Sequence, residues 1–418
     1  MASMQDVFAQ HFESYQRGRR LHSRETRAAQ SILQCYTPDA GSHVAWCPDG
    51  HYAQQTCHAC RHRSCPRCAD RPRQLWVQAE LQRLLPCPHF HTVFTLAHEL
   101  LVLWEFNREA MITLLMDSVR SSLLALLGDP RHLGATPGLL LSLHTWGRNL
   151  SHHPHVHALV SAGGVRADGR WLATREGFLL PLAPLRKLFA GKLLAGLTEL
   201  LNQAALRMPS ELPAPHWRRI ISQLYRKHWN IQINPPYASG RGVTLYLARY
   251  AKGGPLPEDR ALDLHDGHVS FDYTDHRDAR RKQLRLSAHE FIARILWHAP
   301  PKGVHTIRHA GLYATAARRQ HHQALLALTL PHSPHLANPS LPPVSSTAPS
   351  CPTCGSPLQR RFFSSRHDAD QISYQSAPHA AHLTPRSAHL GPTGRSNGHP
   401  TASRSPPPSY SRLRAAGC

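Results

Sequence analysis

The segment His153-Pro-His-Val-His-Ala-Leu-Val160 decides how this chain can be interpreted. Side chains alternate between the two faces of a β-strand, so residues two positions apart point to the same side. The apolar residues of the segment predict a strand in which His155 and His157 share one face while Val156 is buried on the other. Two imidazoles on a rigid sheet can bind one divalent cation. The pattern also fits a histidine-rich strand without metal, since the chain contains 33 histidines.

Composition indicates a soluble globular protein that binds a polyanion. The 418 residues are enough for two or three domains, and 41% hydrophobic residues can form a core over most of that length. Lysine and arginine outnumber aspartate and glutamate by 48 to 26, which gives a net charge of +22 with neutral histidines. Nucleic acid is the first candidate partner. The alternative is that the charge only reflects a composition rich in arginine and histidine.

The expected location is the cytoplasm. No run of about 18 uncharged apolar residues predicts a membrane span, and the N-terminus, with Asp6, His11 and Glu13, lacks the apolar core of a signal peptide. Ten cysteines are present, and five of them lie between Cys47 and Cys68, which is unlike a secreted disulfide scaffold. Clustered thiols in a reducing compartment usually bind metal.

Periodicity predicts an α+β fold with an antiparallel sheet flanked by helices. We expect helices over 1–34, 72–85, 100–127, 182–206 and 287–298, and strands over 91–96, 139–146, 155–162, 268–273 and 284–286. We divide the chain into an N-terminal helix and zinc-binding module (1–85), a central α+β domain (86–320) and a tail (321–418). Proline, serine, histidine and arginine dominate the tail without periodicity, so we expect it to be disordered.

Two tyrosines in Tyr246-Leu-Ala-Arg-Tyr250 are candidate nucleophiles. Residues four apart share one face of a helix, so both phenols would point the same way. A phenolate can attack phosphorus and form a covalent phosphotyrosine, and two of them allow two successive transesterifications. A metal held by two imidazoles would polarise that phosphate, while Arg249 and Lys252 would neutralise its charge. Ordinary packing of an amphipathic helix is the alternative.

A cysteine cluster near the N-terminus has the spacing of a zinc site. Its members are Cys47, Cys57, Cys60, Cys65 and Cys68. The last four form two CxxC pairs, which make tight knuckles whose thiolates close on tetrahedral zinc. Four cysteines can also hold an iron–sulfur cluster. Five thiols exceed the four that one zinc needs, so the ligand set stays open, with His51, His58 and His62 as further candidates.

A further pair near the end of the chain, Cys351-Pro-Thr-Cys354-Gly355, has the form of half a zinc ribbon. No second half follows it in the sequence, and Cys418 stands alone. Taken by itself, this pair does not predict an ordered metal site.

Together these motifs resemble the two-tyrosine HUH class of rolling-circle transposases, of the insertion sequence 91 type. The resemblance is carried, in order, by CRHRSCPRC at 60–68, HTVFTLAHEL at 91–100, HTWG at 144–147, HPHVHALVSAGG at 153–164, DGRW at 168–171, YLARYAKGGP at 246–255, EFIARILWHAPP at 290–301 and IRHAGLY at 307–313. It extends over roughly residues 30 to 320, and CPTCG resembles the C-terminal cysteine motif of the family.

The resemblance implies roles for several of these residues. His155 and His157 would bind a catalytic Mg²⁺ or Mn²⁺, and Tyr246 and Tyr250 would be the two nucleophiles. Similar proteins nick one DNA strand, remain joined to its 5′ phosphate and release a 3′ hydroxyl that primes displacement synthesis; their N-terminal zinc module is expected to help grip DNA. The motifs do not define a third metal ligand, for which His91, on a strand expected beside the HUH strand, is the candidate.

One departure from the family affects the zinc ligands. Similar sequences carry a CxxC pair at the first knuckle, whereas here Cys47-Pro-Asp-Gly50 has glycine at the second position, so Cys57 is the expected substitute. We therefore expect a metal-dependent transposase that acts on single-stranded element ends in the bacterial cytoplasm, in association with the nucleoid. Two alternatives stay open: a catalytically decayed, zinc-containing DNA-binding protein, and a plasmid replication initiator or relaxase with the same chemistry.

Overall fold

The computed structural model describes residues 2–68, 70–239, 242, 244, 253–258, 260–275, 278–329 and 349–363. The chain divides into two units. The first unit consists of Met1–Cys35 and Cys60–Val344, and the second of Tyr36–Ala59 and Ser345–Cys418.

Helices and antiparallel strands alternate along the described chain. The α-helices are α1 (Met4–Gln16), α2 (Ser23–Gln34), α3 (Asp70–Arg83), α4 (Leu101–Phe106), α5 (Arg108–Gly128), α6 (Leu182–Asn202), α7 (Ala214–Leu224), α8 (Ala288–Trp297) and α9 (Arg318–Thr329). The strands are β1 (Ser42–Trp46), β2 (Ala53–Cys57), β3 (His89–Thr95), β4 (Thr136–Trp146), β5 (His152–Val165), β6 (Trp171–Ala173), β7 (Ile231–Ile233), β8 (Asp263–His265), β9 (His268–Thr274), β10 (Arg281–Ser287), β11 (Ile307–Gly311) and β12 (Gln359–Phe363). The α+β prediction is confirmed.

The centre of the first unit is an antiparallel sheet in the order β11-β4-β5-β3-β7, with β6 paired to the end of β5. One face of this sheet is apolar. Val156 and Val160 on β5 and Phe90 and Phe94 on β3 are fully buried there, against side chains of α5 and α6. Each such side chain contributes about 1.5–3 kcal/mol of burial free energy. This core holds β5 rigidly, so its opposite face can carry polar groups in fixed positions.

The opposite face of β3, β4 and β5 is divided along its length. At one end Leu140 and Leu159 pack with the buried ring of Tyr313 in a separate apolar cluster. Gly138 makes room for that ring, because a Cβ atom there would lie 2.6 Å from it. At the other end the same face carries a group of histidines.

The N-terminal helices of the first unit pack on α8. Phe8, Ile32 and Phe291 are buried together in one cluster. Cys35, which follows the last residue of α2, and Cys65 belong to the same cluster. The packing of α2 therefore determines the position of the Cys35 thiol.

The second unit contains a three-stranded antiparallel sheet in the order β12-β1-β2. β12 pairs with β1 from Ser42 opposite Phe363 to Trp46 opposite Gln359. The sheet thus joins two stretches of chain that are about 300 residues apart in sequence.

The structure also shows what periodicity missed. The predicted helix over 100–127 is two helices, separated at Asn107, whose side-chain Oδ1 accepts a hydrogen bond of 2.7 Å from the backbone N–H of Arg207. The predicted helix over 1–34 is also two helices, α1 and α2. Periodicity did not predict α7, α9, β1, β2, β6, β7, β8, β11 or β12. Two ordered pieces, most of α9 and residues 349–363, lie within the segment for which we expected disorder. The predicted helix of Tyr246 and Tyr250 lies outside the described residues.

Among the described residues, one helix, α5, is long and apolar enough to cross a membrane by length and composition. Half of its apolar window is buried, and Leu115, Val119 and Leu123 are fully enclosed in the main core. The core helix of a soluble protein passes the same test, so α5 is accounted for by its packing.

Candidate metal-binding sites

Three histidines meet at the polar end of the central sheet. His155 and His157 lie on β5 and share a face, and the antiparallel register places His144 of β4 directly opposite His155. One ring nitrogen from each of the three lies within 4.8 Å of the others. The ring centroids of His144 and His157 are 4.1 Å apart, and those of His155 and His157 are 4.8 Å apart. Three convergent imidazoles on rigid strands form a suitable donor set for one divalent cation.

These three imidazoles are held in the neutral form. Burial lowers the pKa of His155 to about 4. Burial, and then the neighbouring imidazoles, hold the pKa values of His144 and His157 well below the ordinary 6.5. Neutral imidazole is the form that coordinates a metal. At neutral pH the group can therefore accept a cation without first losing protons from its rings.

His91 lies behind His157 and outside the three-histidine group. Its ring stacks on that of His157, and its Nε2 lies 2.7 Å from His157 Nδ1. For His157 to offer Nε2 to a metal, its Nδ1 must carry the proton and donate it to His91. His91 then carries its own proton on Nδ1, which lies 3.0 Å from the side-chain amide of Asn234. With the amide oriented so that its oxygen faces the ring, that oxygen accepts the hydrogen bond from Nδ1–H. His91 is thus placed to orient His157.

Arg63 supplies positive charge beside the histidines. It lies in the turn between Cys60 and Cys65, and its guanidinium donates a hydrogen bond to the hydroxyl of Thr306. Burial lowers its pKa to about 10, and its charge adds to the effect of burial in depressing the pKa of His144. The sequence offered no means of finding this residue, because its approach to β4 depends on long-range packing.

The predicted nucleophiles Tyr246 and Tyr250 and the predicted phosphate ligands Arg249 and Lys252 lie outside the described residues. The chain on both sides of them is described. Before them, Tyr237 forms a bridge with His89 at the start of β3. After them, the backbone of Gly254 approaches Ser64 so closely that a Cβ atom on the glycine would lie 3.1 Å from the Ser64 carbonyl oxygen.

Four cysteines converge in the first unit. They are Cys35, Cys60, Cys65 and Cys68, whose sulfur atoms all lie within 4.8 Å of one another. Cys68 Sγ is 3.4 Å from Cys35 Sγ and 3.6 Å from Cys60 Sγ. Sulfurs bound to one tetrahedral zinc at 2.3 Å are about 3.8 Å apart. The group therefore has nearly the dimensions of a Cys₄ zinc site.

The structure divides the predicted zinc ligands between two groups. Cys60, Cys65 and Cys68 lie in the group just described, whose fourth member, Cys35, was missed because it has no CxxC partner. Cys47 belongs to a second group, in the second unit, with His51, Cys351 and Cys354. Cys57, at the end of β2, belongs to neither of these groups.

The remaining candidate histidines have other partners. His58 stacks on His43 in the second unit, with ring centroids 5.4 Å apart. His62 Nδ1 accepts a hydrogen bond of 3.1 Å from the backbone N–H of Ser64. Neither histidine is a member of the two cysteine groups.

Two family models match successive parts of the chain. Residues 7–96 match the family model described as a transposase zinc-binding domain, and residues 138–321 match the one described as a putative transposase. The chain is 34% identical over 322 residues to the putative transposase y4qJ of Sinorhizobium fredii, which covers 75% of this chain and 81% of that protein. It is 31% identical over 294 residues to the transposase for insertion sequence element IS801 of Pseudomonas savastanoi pv. phaseolicola, covering 68% of this chain and 67% of the relative. No solved structure matches.

The antiparallel sheet with its histidines and the cysteine group beside it are therefore those of a transposase with a zinc-binding domain. The chain belongs to the insertion sequence 91 family of transposases. The resemblance drawn from the motifs is confirmed.

Proposed function

We propose that this transposase nicks and rejoins single-stranded DNA at the ends of an insertion element through covalent 5′-phosphotyrosine intermediates, as in rolling-circle transposition. The observation that carries the proposal is the group of His144, His155 and His157 on one face of an antiparallel sheet, in a member of this family. We further propose that it acts in the cytoplasm, where its DNA substrate is accessible, and that the domain limits of 1–85, 86–320 and 321–418 apply.

The three histidines are the proposed ligands of the catalytic ion, and His91 is the residue that orients His157. Neutral imidazole nitrogens suit Mn²⁺ and other transition metals better than Mg²⁺, which prefers oxygen donors. Mg²⁺ would depend on phosphate oxygens and water for its remaining ligands, so we favour Mn²⁺. When bound, such an ion would polarise the scissile phosphate and stabilise the charge that develops on it.

Tyr246 and Tyr250 are the proposed nucleophiles. The phenolate oxygen of one of them attacks phosphorus, the bond between phosphorus and the 3′ oxygen breaks, and the leaving oxygen takes a proton to become a 3′ hydroxyl. The phosphotyrosine keeps the energy of the broken bond, so the 3′ hydroxyl of another strand can reverse the step. Gly254, four residues after Tyr250, lies against Ser64, and Ser64 adjoins Arg63, whose charge acts on His144; this position supports the assignment.

Positive charge would bind the DNA backbone next to the histidines. Arg249 and Lys252 are proposed phosphate ligands by their position in the tyrosine motif. Arg63 is added to them, because its charge reaches His144. A guanidinium donates paired hydrogen bonds to phosphate oxygens and stays charged at any physiological pH.

The zinc-binding domain is proposed to position part of this site. Cys35, Cys60, Cys65 and Cys68 would hold one structural zinc. The turn between Cys60 and Cys65 contains both Arg63 and Ser64. A zinc ion bound at this turn would therefore position the Arg63 guanidinium, whose charge acts on His144. It would also position the Ser64 carbonyl, which lies against Gly254.

The test is formation of a covalent adduct. Purified protein is incubated with labelled single-stranded oligonucleotides that span the two ends of the element encoding it, with Mn²⁺, and separated under denaturing conditions. We expect a labelled protein band and a free 3′ hydroxyl product from one strand of an end. Exposed His153 provides the control, since His153→Ala should retain the adduct and His157→Ala should lose it. Tight DNA binding with no cleavage by the wild-type protein would favour the decayed DNA-binding alternative, and cleavage of a plasmid origin alone would favour a replication initiator.

A further inference from the structure

We propose that Cys47, His51, Cys351 and Cys354 bind a second structural zinc that completes a zinc ribbon assembled from two distant parts of the sequence. Cys47 and Cys354 are 307 positions apart, yet their sulfur atoms lie 3.5 Å from each other. The matched zinc-binding domain ends at residue 96, so Cys351 and Cys354 lie outside it.

The first half of the ribbon is the turn between β1 and β2. Cys47 follows the last residue of β1, and its backbone N–H donates a hydrogen bond of 2.8 Å to the carbonyl of Tyr52. The N–H of Gly50 donates to the Cys47 carbonyl at 3.0 Å, and its φ of +77° is one that favours glycine. This tight turn brings the His51 ring back toward the Cys47 sulfur, with Nδ1 and Sγ 3.9 Å apart.

The second half is the turn before β12, and it closes in the same way. The backbone N–H of Cys351 donates a hydrogen bond of 2.8 Å to the carbonyl of Ser356, which again lies five residues further on. The N–H of Gly355 donates to the Cys351 carbonyl at 2.9 Å, and its φ is +74°. Both turns therefore have the form of a metal-binding knuckle that presents two donors on one side.

The four donors suit zinc better than the alternatives. All four donor atoms lie within 4.8 Å of one another, and Cys₃His is a common ligand set of structural zinc. The 3.5 Å between the sulfurs of Cys47 and Cys354 is far longer than the S–S bond of about 2.05 Å, so these two residues are not disulfide-bonded. Iron–sulfur clusters of the common types use four cysteines, whereas this group offers three.

The sheet of the second unit connects the two knuckles. β1 and β12 pair along five residues, and the knuckles extend from the same end of this pair, where Trp46 lies opposite Gln359. His51 also accounts for the departure from the family motif, because it follows the Gly50 that stands in place of the second cysteine. The metal would thus replace the missing CxxC pair with a Cys-x₃-His pair.

The described part of the second unit has a small apolar core. Its described buried apolar residues are Ala45, Cys47, Cys57, Cys351 and Phe363. Two of these five are proposed ligands, so little hydrophobic burial remains to order the sheet. Folds with so small a core usually depend on a bound metal or a disulfide for stability. Zinc that binds only the folded form would stabilise the sheet by its binding free energy.

The experiment compares metal content and cobalt spectra of the full-length protein without DNA, so it does not depend on the proposed catalytic activity. Cys354→Ser removes an exposed ligand. Cys87→Ala is the control for loss of a cysteine, since the buried Cys87 lies outside both cysteine groups. Because the three-histidine group can retain zinc as well, zinc is measured as a difference from wild type. We expect one zinc fewer per chain in Cys354→Ser and no change in Cys87→Ala.

Cobalt(II) substitution distinguishes the sites, because thiolate-to-cobalt charge transfer arises only at cysteine ligands. Cys354→Ser should lose the absorption of the second group and keep that of the first. His51→Cys retains four donors, so it should keep its metal and shift the spectrum toward that of a Cys₄ site. This conservative variant covers the case in which Cys354→Ser does not fold. Unchanged zinc and cobalt spectra in Cys354→Ser, or a Cys47–Cys354 disulfide in the purified protein, would overturn the proposal.

Discussion

His91 and His157 form a hydrogen-bonded pair of buried imidazoles, with His91 Nε2 2.7 Å from His157 Nδ1. The pair spans β3 and β5, so one proposed metal ligand is oriented by a side chain from the neighbouring strand. The sequence suggested His91 as a third ligand, whereas the geometry favours His144 for that role. The two assignments predict different responses to metal concentration.

Replacement of His91 by alanine should weaken metal binding without abolishing activity. Loss of a hydrogen-bond partner of a metal ligand typically costs 10–100-fold in affinity or activity. We expect nicking by His91→Ala to require about 10–100-fold more Mn²⁺ and to approach the wild-type rate at saturation. A titration of nicking rate against Mn²⁺ measures this. A deficit that no concentration of Mn²⁺ restores would identify His91 as a direct ligand.

Replacement of His144 by alanine should remove a ligand. We expect nicking to fall by more than about 100-fold at saturating Mn²⁺, while affinity for single-stranded DNA changes little. His153→Ala is again the control, since His153 is an exposed histidine of β5. The check is cleavage rate and DNA binding measured on the same preparations. Normal cleavage by His144→Ala would leave only His155 and His157 of this group as ligands.

Acid should destabilise the first unit through His298. Burial lowers the pKa of His298 to about 3, whereas the unfolded chain has an ordinary value near 6.5. The unfolded state therefore binds a proton that the folded state rejects, so the free energy of unfolding falls as pH drops below about 6.5, and this loss is complete below about pH 3. His298→Gln should reduce the loss between pH 7 and pH 5 by up to about 2 kcal/mol. Urea unfolding at both pH values tests this, and equal pH dependence in the variant would contradict it.

Tyr313→Phe should destabilise the first unit through a buried hydrogen bond. The Tyr313 hydroxyl lies 2.5 Å from His89 Nε2 and accepts a hydrogen bond of 3.3 Å from the backbone N–H of Leu85. Phenylalanine would leave both groups buried and unsatisfied, which costs about 1–3 kcal/mol for each group. Thermal unfolding should show a lower midpoint than for Tyr225→Phe, a matched change at an exposed position. Equal midpoints in the two variants would mean that water replaces the hydroxyl.

The sequence predicted the local part of the histidine site. The period of two places His155 and His157 on one face of any strand, and the apolar residues between them indicate which face is buried. His144 could not be assigned in this way, because its position opposite His155 depends on the register of β4, which contains an irregularity between His144 and Trp146. The approach of Arg63 to His144 depends on a fold that brings the cysteine turn to the sheet.

The zinc ligands show the same limit at longer range. The spacing of Cys60, Cys65 and Cys68 predicted a knuckle. The fourth member of that group, Cys35, lies 25 positions before Cys60, directly after α2, so only the packing of that helix brings it to the group. The pair Cys351 and Cys354 has no second half in the sequence that follows it. Its partners precede it by about 300 residues, and only strand pairing between β1 and β12 brings them together.

The most direct test of the account is to identify the residue that becomes joined to DNA. The adduct formed with a single-stranded element end and Mn²⁺ is digested with protease and nuclease, and the modified peptide is sequenced by mass spectrometry. We predict a nucleotide attached through its 5′ phosphate to the phenolic oxygen of Tyr246 or Tyr250, and no adduct from the protein in which both are phenylalanine. A 5′ nucleotide on any other residue, or an adduct that persists in the double phenylalanine variant, would contradict the account.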